Sequence, residues 1–306
     1  MKEVFHSGEL EIQKRTGEEK IAELNKNLVS PYIVKGAINF VEKQPMVIVG
    51  SRNRENELWA SILIGDFGFI EVPKPSTVVF NTEKIVSTTS DIFYRNILED
   101  NQIGSLFIEL STRKRLRANG SCAINGPKIE MSIEQAYPNC PKYIQRRAIA
   151  EPEHFKKTQT EDVIEGIPFD DEVLDFIKSA DTFFVASAAT DGKLDASHRG
   201  GNPGFLGIIK NNTIKIPDYP GNSLFNTWGN ITQNPNVGLL FIDFEKRETL
   251  QLTGHASLLF DQHSEDDLLK TKGTGRFWLF ESLRWIRSIN HHQVEWNFLE
   301  YSPFNP

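Results

Sequence analysis

The feature that most constrains this chain is an internal repeat: residues 38–82 lie on residues 174–218 without a gap. In that register Phe40 meets Phe176, Val49 meets Val185, Ser51 meets Ser187 and Leu58 meets Leu194, while Gly65, Gly68 and Phe69 meet Gly201, Gly204 and Phe205. Past an insertion in the first copy, 104–109 lies on 238–243, and Arg113, Leu116 and Gly120 lie on Arg247, Leu250 and Gly254. A repeat that long means one structural unit present twice, and 306 residues suit two cores of roughly 100–150 residues each.

Each copy reads as a short amphipathic helix (38–43; 173–178) and an apolar strand (46–50; 182–186), followed by a polar turn. The Asp191-Gly192 pair suits a hairpin, because glycine accepts positive φ. Further strands are expected at 58–64, 77–81, 104–110 and 115–123 in copy one and at 194–199, 213–216, 238–244 and 249–259 in copy two. Their even spacing predicts a mainly β fold with short helices, a small antiparallel barrel per copy. One helix is expected over 222–233, capped by Asn222 or Ser223 and stopped before Asn234-Pro235. The expected organisation is a helical lead-in at 1–34, a first barrel at 35–149, a linker at 150–170, a second barrel at 171–262 and a packing tail at 263–306.

A net charge of −7 gives no global field for a nucleic-acid backbone or an anionic membrane, so neither partner is expected. The one dense basic run, 113–117, reads as a solvated strand end. Apolar stretches such as 237–242 fall well short of the ~18 residues that span a bilayer, and charged residues stand where a signal peptide needs its apolar core. A cytoplasmic location follows. Cys122 and Cys140 form no CxxC pair, which points to reduced thiols and no metal site.

The informative positions are those where the copies differ. Ile62-Leu63-Ile64 of copy one become His198-Arg199-Gly200 in copy two. With Ser197 and the loop 200–204 these supply a hydroxyl, an imidazole and a guanidinium, groups that recognise phosphate. The loop 217–222 then leads to the expected helix start, whose free N–H groups also suit an anion. At the end of copy one, 134–147 gathers two tyrosines, a lysine, two glutamines and two arginines. It reads either as an aromatic and cationic lid over a flat anionic ligand or as an interdomain strap.

These strings, together with 5–9 (Phe-His-Ser-Gly-Glu), 139–147, 197–201, 217–222, 225–227, Gly229-Asn230 and 250–254, resemble the pyridoxamine 5'-phosphate oxidase-like flavin-nucleotide-binding proteins with two tandem split β-barrels. The resemblance covers nearly the whole chain. It implies FMN in a groove between the barrels, with Ser197, His198 and Arg199 facing the ribityl phosphate and Asn222 and Asn226 on its other side. It implies also that Gln251 addresses the isoalloxazine edge, and that Lys142, Tyr143, Gln145 and Arg146 reach over from the first barrel. The substrate-binding signature of true pyridoxamine phosphate oxidases is not recognisable, so the fold carries over better than that reaction.

The expected function is an FMN-dependent oxidoreductase with a small-molecule substrate or electron-transfer partner. The alternative is a non-catalytic flavin-carrying or flavin-sensing electron-transfer module. A third option keeps the fold and takes haem or a deazaflavin, with His6, His198, His255, His291 and His292 as candidate axial ligands. Homodimerisation is left open.

Overall fold

The computed structural model describes residues 4–150, 155–158, 162–210 and 212–306. The order begins α1 (Ser7–Thr16), α2 (Glu19–Asn25), α3 (Lys35–Glu42), β1 (Met46–Arg52), β2 (Leu58–Ile64), β3 (Ile70–Lys74), β4 (Thr77–Asn81) and α4 (Ile92–Glu99). It continues through β5 (Gln102–Glu109), β6 (Lys114–Asn125), β7 (Lys128–Pro138), β8 (Arg146–Ile149) and β9 (Asp162–Gly166). The second half holds α5 (Asp171–Ser179), β10 (Thr182–Ala188), β11 (Leu194–Gly200), β12 (Gly207–Lys210), β13 (Thr213–Pro217) and α6 (Asn226–Gln233). It ends with β14 (Asn236–Asp243), β15 (Glu248–Leu259), α7 (Glu265–Lys270), β16 (Phe277–Ile289) and β17 (Trp296–Glu300). No helix among the described residues is long and apolar enough to cross a membrane.

The repeat is realised as two antiparallel sheets of one strand order, β2-β1-β5-β6-β7-β4-β3 and β11-β10-β14-β15-β16-β13-β12. Alternation explains why the apolar runs are continuous. Val47 and Val49 of β1 face the core of the first sheet, whereas Met46 and Ile48 face the other half. Phe183 and Val185 of β10 face the second core, and Phe184 and Ala186 join the shared one. Strands buried on both faces need apolar residues at every position.

At the seam the two backbones nearly touch. A Cβ on Gly104 of β5 would lie 2.7 Å from the Asp195 carbonyl carbon, and one on Gly238 of β14 would lie 2.6 Å from the Leu58 carbonyl oxygen. Gly104 and Gly238 are repeat partners, so the contact is reciprocal.

Three expectations need correction. The tail 263–306 contains β16, a central strand between β15 and β13, so the second sheet runs past residue 262. Trp278, Phe280 and Trp285 pack because they belong to the core, whereas Phe298 and Phe304 are exposed. The linker 150–170 contains β9, which pairs with β16; its residues 151–154 and 159–161 lie outside the described residues. The helix expected from Asn222 begins only at Asn226, because Ser223 and Phe225 adopt left-handed backbone conformations (φ 61° and 59°) that interrupt it.

Gly238→Ala is expected to destabilise the chain by about 1–3 kcal/mol in denaturant unfolding, the usual cost of overpacking a site that cannot yield. Unchanged stability would mean that the halves separate freely at this point.

Candidate functional site

The end of β11, the start of β6, the loop 217–225 and the segment 139–143 converge on a cavity of about 110 Å³. Gly200 lets this happen: a Cβ there would stand 2.2 Å from the Tyr143 carbonyl oxygen, so the strap from the first half lies directly on the end of β11. The loop is held from the N-terminal helices. Glu18 accepts from Ser223 Oγ (2.5 Å) and from Arg276 (2.8 Å), whose Nε also donates to Asp218 (3.0 Å). Asn25 Nδ2 donates to the Asn222 carbonyl (2.9 Å), and Gln13 Nε2 to that of Leu224 (3.3 Å). Past the loop, α6 begins without a side-chain cap. Its first N–H groups therefore remain available.

Positive charge is in excess here. Arg117 is matched by Asp195 at 2.9 Å. Arg115 donates to the Cys140 carbonyl (2.8 Å from Nε), and Arg199 to the carbonyl of His198 (3.1 Å). Among the described residues neither has a carboxylate within ion-pair distance. Burial pushes Arg115 down to about 9, reinforced by Arg117 and Arg199. Burial also lowers Arg199, with Asp218 opposing. His198 is 3% exposed and neither ring nitrogen has a partner among the described residues; burial and the surrounding arginines hold it well below its ordinary value, so it is neutral. Two guanidiniums with no carboxylate in ion-pair distance, beside an imidazole with no partner among the described residues, have the chemistry that suits an anion. Tyr143 and Tyr219, with ring centroids 4.7 Å apart, add an aromatic wall.

Of the residues singled out in the sequence, His198, Arg199, Asn222, Asn226, Lys142 and Tyr143 line this cavity. Four do not. Ser197 is buried against Thr227 (3.1 Å). Gln145 ties down the strap, its Nε2 donating to the Tyr143 carbonyl (3.1 Å) and its Oε1 accepting from Ser302 N (2.7 Å). Arg146 donates to the Ser111 carbonyl (2.6 Å) and to Glu300 (3.0 Å). Gln251 donates to Ala60 O and Ser61 Oγ, both at 2.9 Å, holding β2 of the other half.

Arg115 and Arg117 correct the reading of 113–117 as a solvated strand end, since both line the cavity and Arg117 is buried. Their signal was the spacing: residues 115 and 117 share one face of a strand. Asp218, Tyr219 and Arg276 were also missed. They come together only through the β13–β16 pairing and the loop.

The other copy has no such chemistry at the corresponding place. Asp195, Asn226 and Tyr137 of this seam correspond to Trp59, Ile92 and Ile286, and those three pack on one another as an apolar cluster.

A family model described as pyridoxamine 5'-phosphate oxidase matches residues 169–283. Comparison with curated proteins found no match. Similar solved structures include General Stress Protein 26 from Bacillus anthracis (14% identity, covering 42% of this chain and 97% of that one, TM-score 0.29). Another is a protein related to general stress protein 26 (pyridoxinephosphate oxidase family) from Clostridium acetobutylicum (13%, 42% and 92%, TM-score 0.29). HutZ, the heme storage protein from Vibrio cholerae, is also similar (14%, 45% and 100%, TM-score 0.27).

Against the seam from outside sits Glu9 of α1, which accepts from Asn226 Nδ2 (2.6 Å) and from His6 N (2.9 Å). Burial raises its carboxyl from 4.5 to about 8. The native state therefore holds this proton more tightly than the unfolded chain does. The resulting stability is fully present below about pH 4.5 and is lost as pH rises through 8, by at most about 1.4 kcal/mol per pH unit. Glu9→Gln is expected to remove this component, so the stability difference between variant and parent shifts in the variant's favour from pH 5 to pH 8 in denaturant titrations. A pH-independent difference would place Glu9 in its ordinary range.

Proposed function

The chain is a pyridoxamine 5'-phosphate oxidase-like protein, by the match over residues 169–283, and on that premise we propose that it is an FMN-binding oxidoreductase whose FMN lies between two tandem split β-barrels. The reading takes 35–149 as the first barrel. The second extends from about residue 162 to 289, because β9 and β16 belong to its sheet. The observation that carries the proposal is the pair of guanidiniums, Arg115 and Arg199, that face one cavity with no carboxylate within ion-pair distance of either among the described residues. A phosphate dianion would satisfy both, and Lys142, Asn222 and the first turn of α6, which line the same cavity, would help to hold it.

At about 110 Å³ the cavity is smaller than the ~300–1,000 Å³ typical of whole-ligand sites. It therefore fits the phosphate end, with Tyr143 and Tyr219 flanking what extends from it. When bound, FMN supplies hydride or electron transfer. The chain's own residues bind and orient: Gln145 fixes the strap that carries Tyr143, Ser197 and Thr227 brace β11 against α6, and Gln251 locks the opposite half. With buried Ile62 and Leu63 of the other copy standing where His198 and Arg199 line the cavity, the reading assigns one FMN per chain.

His198 favours a second reading. An imidazole at a cavity whose two nitrogens have no partner among the described residues also has the chemistry of a haem ligand. The visible absorption spectrum of the purified chain separates the two, since a flavin and a haem differ in band shape and acid release identifies which one comes off.

Each of Arg199→Ala and Arg115→Ala is expected to weaken FMN binding by about 10- to 100-fold, the loss of charge-assisted hydrogen bonds worth ~1.5–3 kcal/mol. Flavin fluorescence titration reads this directly; unchanged affinity in both variants would remove the phosphate assignment. Reduction of the bound flavin by NADH or NADPH alone would mark turnover, whereas its absence would favour the electron-carrying module.

A further inference from the structure

A second cavity, about 310 Å³, opens where α1 meets the seam. Phe5, His6 and Glu9 come from α1 and its approach, Asn119 from β6, Gln135 from β7, and Asn230 from α6. Asn226 lines both cavities, and the Arg117–Asp195 ion pair connects them, Arg117 lining the first and Asp195 the second.

The charges of this second cavity are already matched. Asp195 accepts from Arg117 (2.9 Å), from Asn119 Nδ2 (3.1 Å) and from Tyr137 (3.2 Å). Asp191 pairs with Lys193 at 3.1 Å. Burial keeps Glu9 protonated at neutral pH, and His6 Nε2 is engaged with Asn230 Oδ1 at 3.0 Å. An incoming ion, of either sign, would lose its hydration without finding a free counter-charge. What remains open is Asn119 Oδ1. Asn119 is 6% exposed, lines the cavity, and this oxygen has no partner among the described residues. A buried acceptor left without a donor calls for one from a ligand. The carboxamide of Gln135 offers both a donor and an acceptor close by, while Phe5 and Leu194 provide apolar wall.

We propose that this cavity binds a compact, uncharged molecule bearing a carboxamide-type group, whose N–H donates to Asn119 Oδ1, and that it is the substrate or electron-acceptor pocket beside the flavin site. The assignment of that role rests on the FMN reading; the binding site itself does not.

The test uses three isosteric probes on the full chain, with and without saturating FMN: benzamide, benzoate and benzamidinium. Saturation-transfer NMR and titration calorimetry should find benzamide bound at least tenfold more tightly than either ion, and still bound when FMN is present. Asn119→Leu should weaken benzamide at least tenfold. Gln135→Leu, at a half-buried position, should weaken it several-fold with unaltered Tm and FMN affinity, which keeps the test valid if Asn119→Leu folds poorly. Equal or tighter binding of benzoate or benzamidinium, insensitivity to both variants, or displacement of benzamide by FMN would each overturn the proposal. Asn119-dependent benzamide binding by a chain that takes up no FMN would support the site and sink the flavin reading. FMN uptake without benzamide binding would do the reverse.

Discussion

Everything at the seam depends on the reciprocal approach of two backbones at Gly104 and Gly238. Because each glycine belongs to one sheet and meets a strand of the other, the halves are held at a spacing that no side chain could share. That spacing puts β6 beside β11, so Arg117 reaches Asp195 and Arg115 stands near Arg199. It also lets the outer faces of β1, β5, β10 and β14 form a common core of Met46, Ile48, Leu106, Phe184 and Leu240, among others. A shared apolar core of that kind makes the two sheets one folding unit.

Approximate symmetry of the backbone does not make the two sides of the seam equivalent. Arg117 and Gln251 occupy matching positions and both reach across to the opposite half, yet one ends at a carboxylate and the other at a backbone carbonyl and a hydroxyl. Asn230 and Asn96 likewise make matching bonds to Ser187 and Ser51, both at 3.0 Å. Those conserved-by-symmetry contacts are scaffold. Where Asp195, Asn226 and Tyr137 give way to Trp59, Ile92 and Ile286, water-seeking groups become a dry plug. The polar side retains cavities as a consequence, because buried polar groups and unmatched arginines cannot close on one another without a ligand.

The lead-in helices serve the site. Glu18, Asn25 and Gln13 each fasten part of the loop 218–224, and Glu9 borders α6. In the sequence they read as a helical lead-in whose string 5–9 shares in the family resemblance, with no sign of the contacts to the loop, since a bond between residue 18 and residue 223 has no local signature.

The sequence by itself determined the duplication, the β-rich unit, its principal strands and the cationic replacement at His198-Arg199. Those rest on local alternation, turn chemistry and comparison of one copy with the other. Tertiary structure alone decided that β16 completes the second sheet, that Arg115 and Arg117 of the run 113–117 turn inward, and that Gln251, Gln145 and Arg146 brace the seam instead of lining the cavity. The physical reason is the same in each case. Which partner a strand finds, and which face of it meets the other half, is set by packing between residues far apart in the chain, and a polar side chain at that boundary goes to whichever buried partner the packing presents.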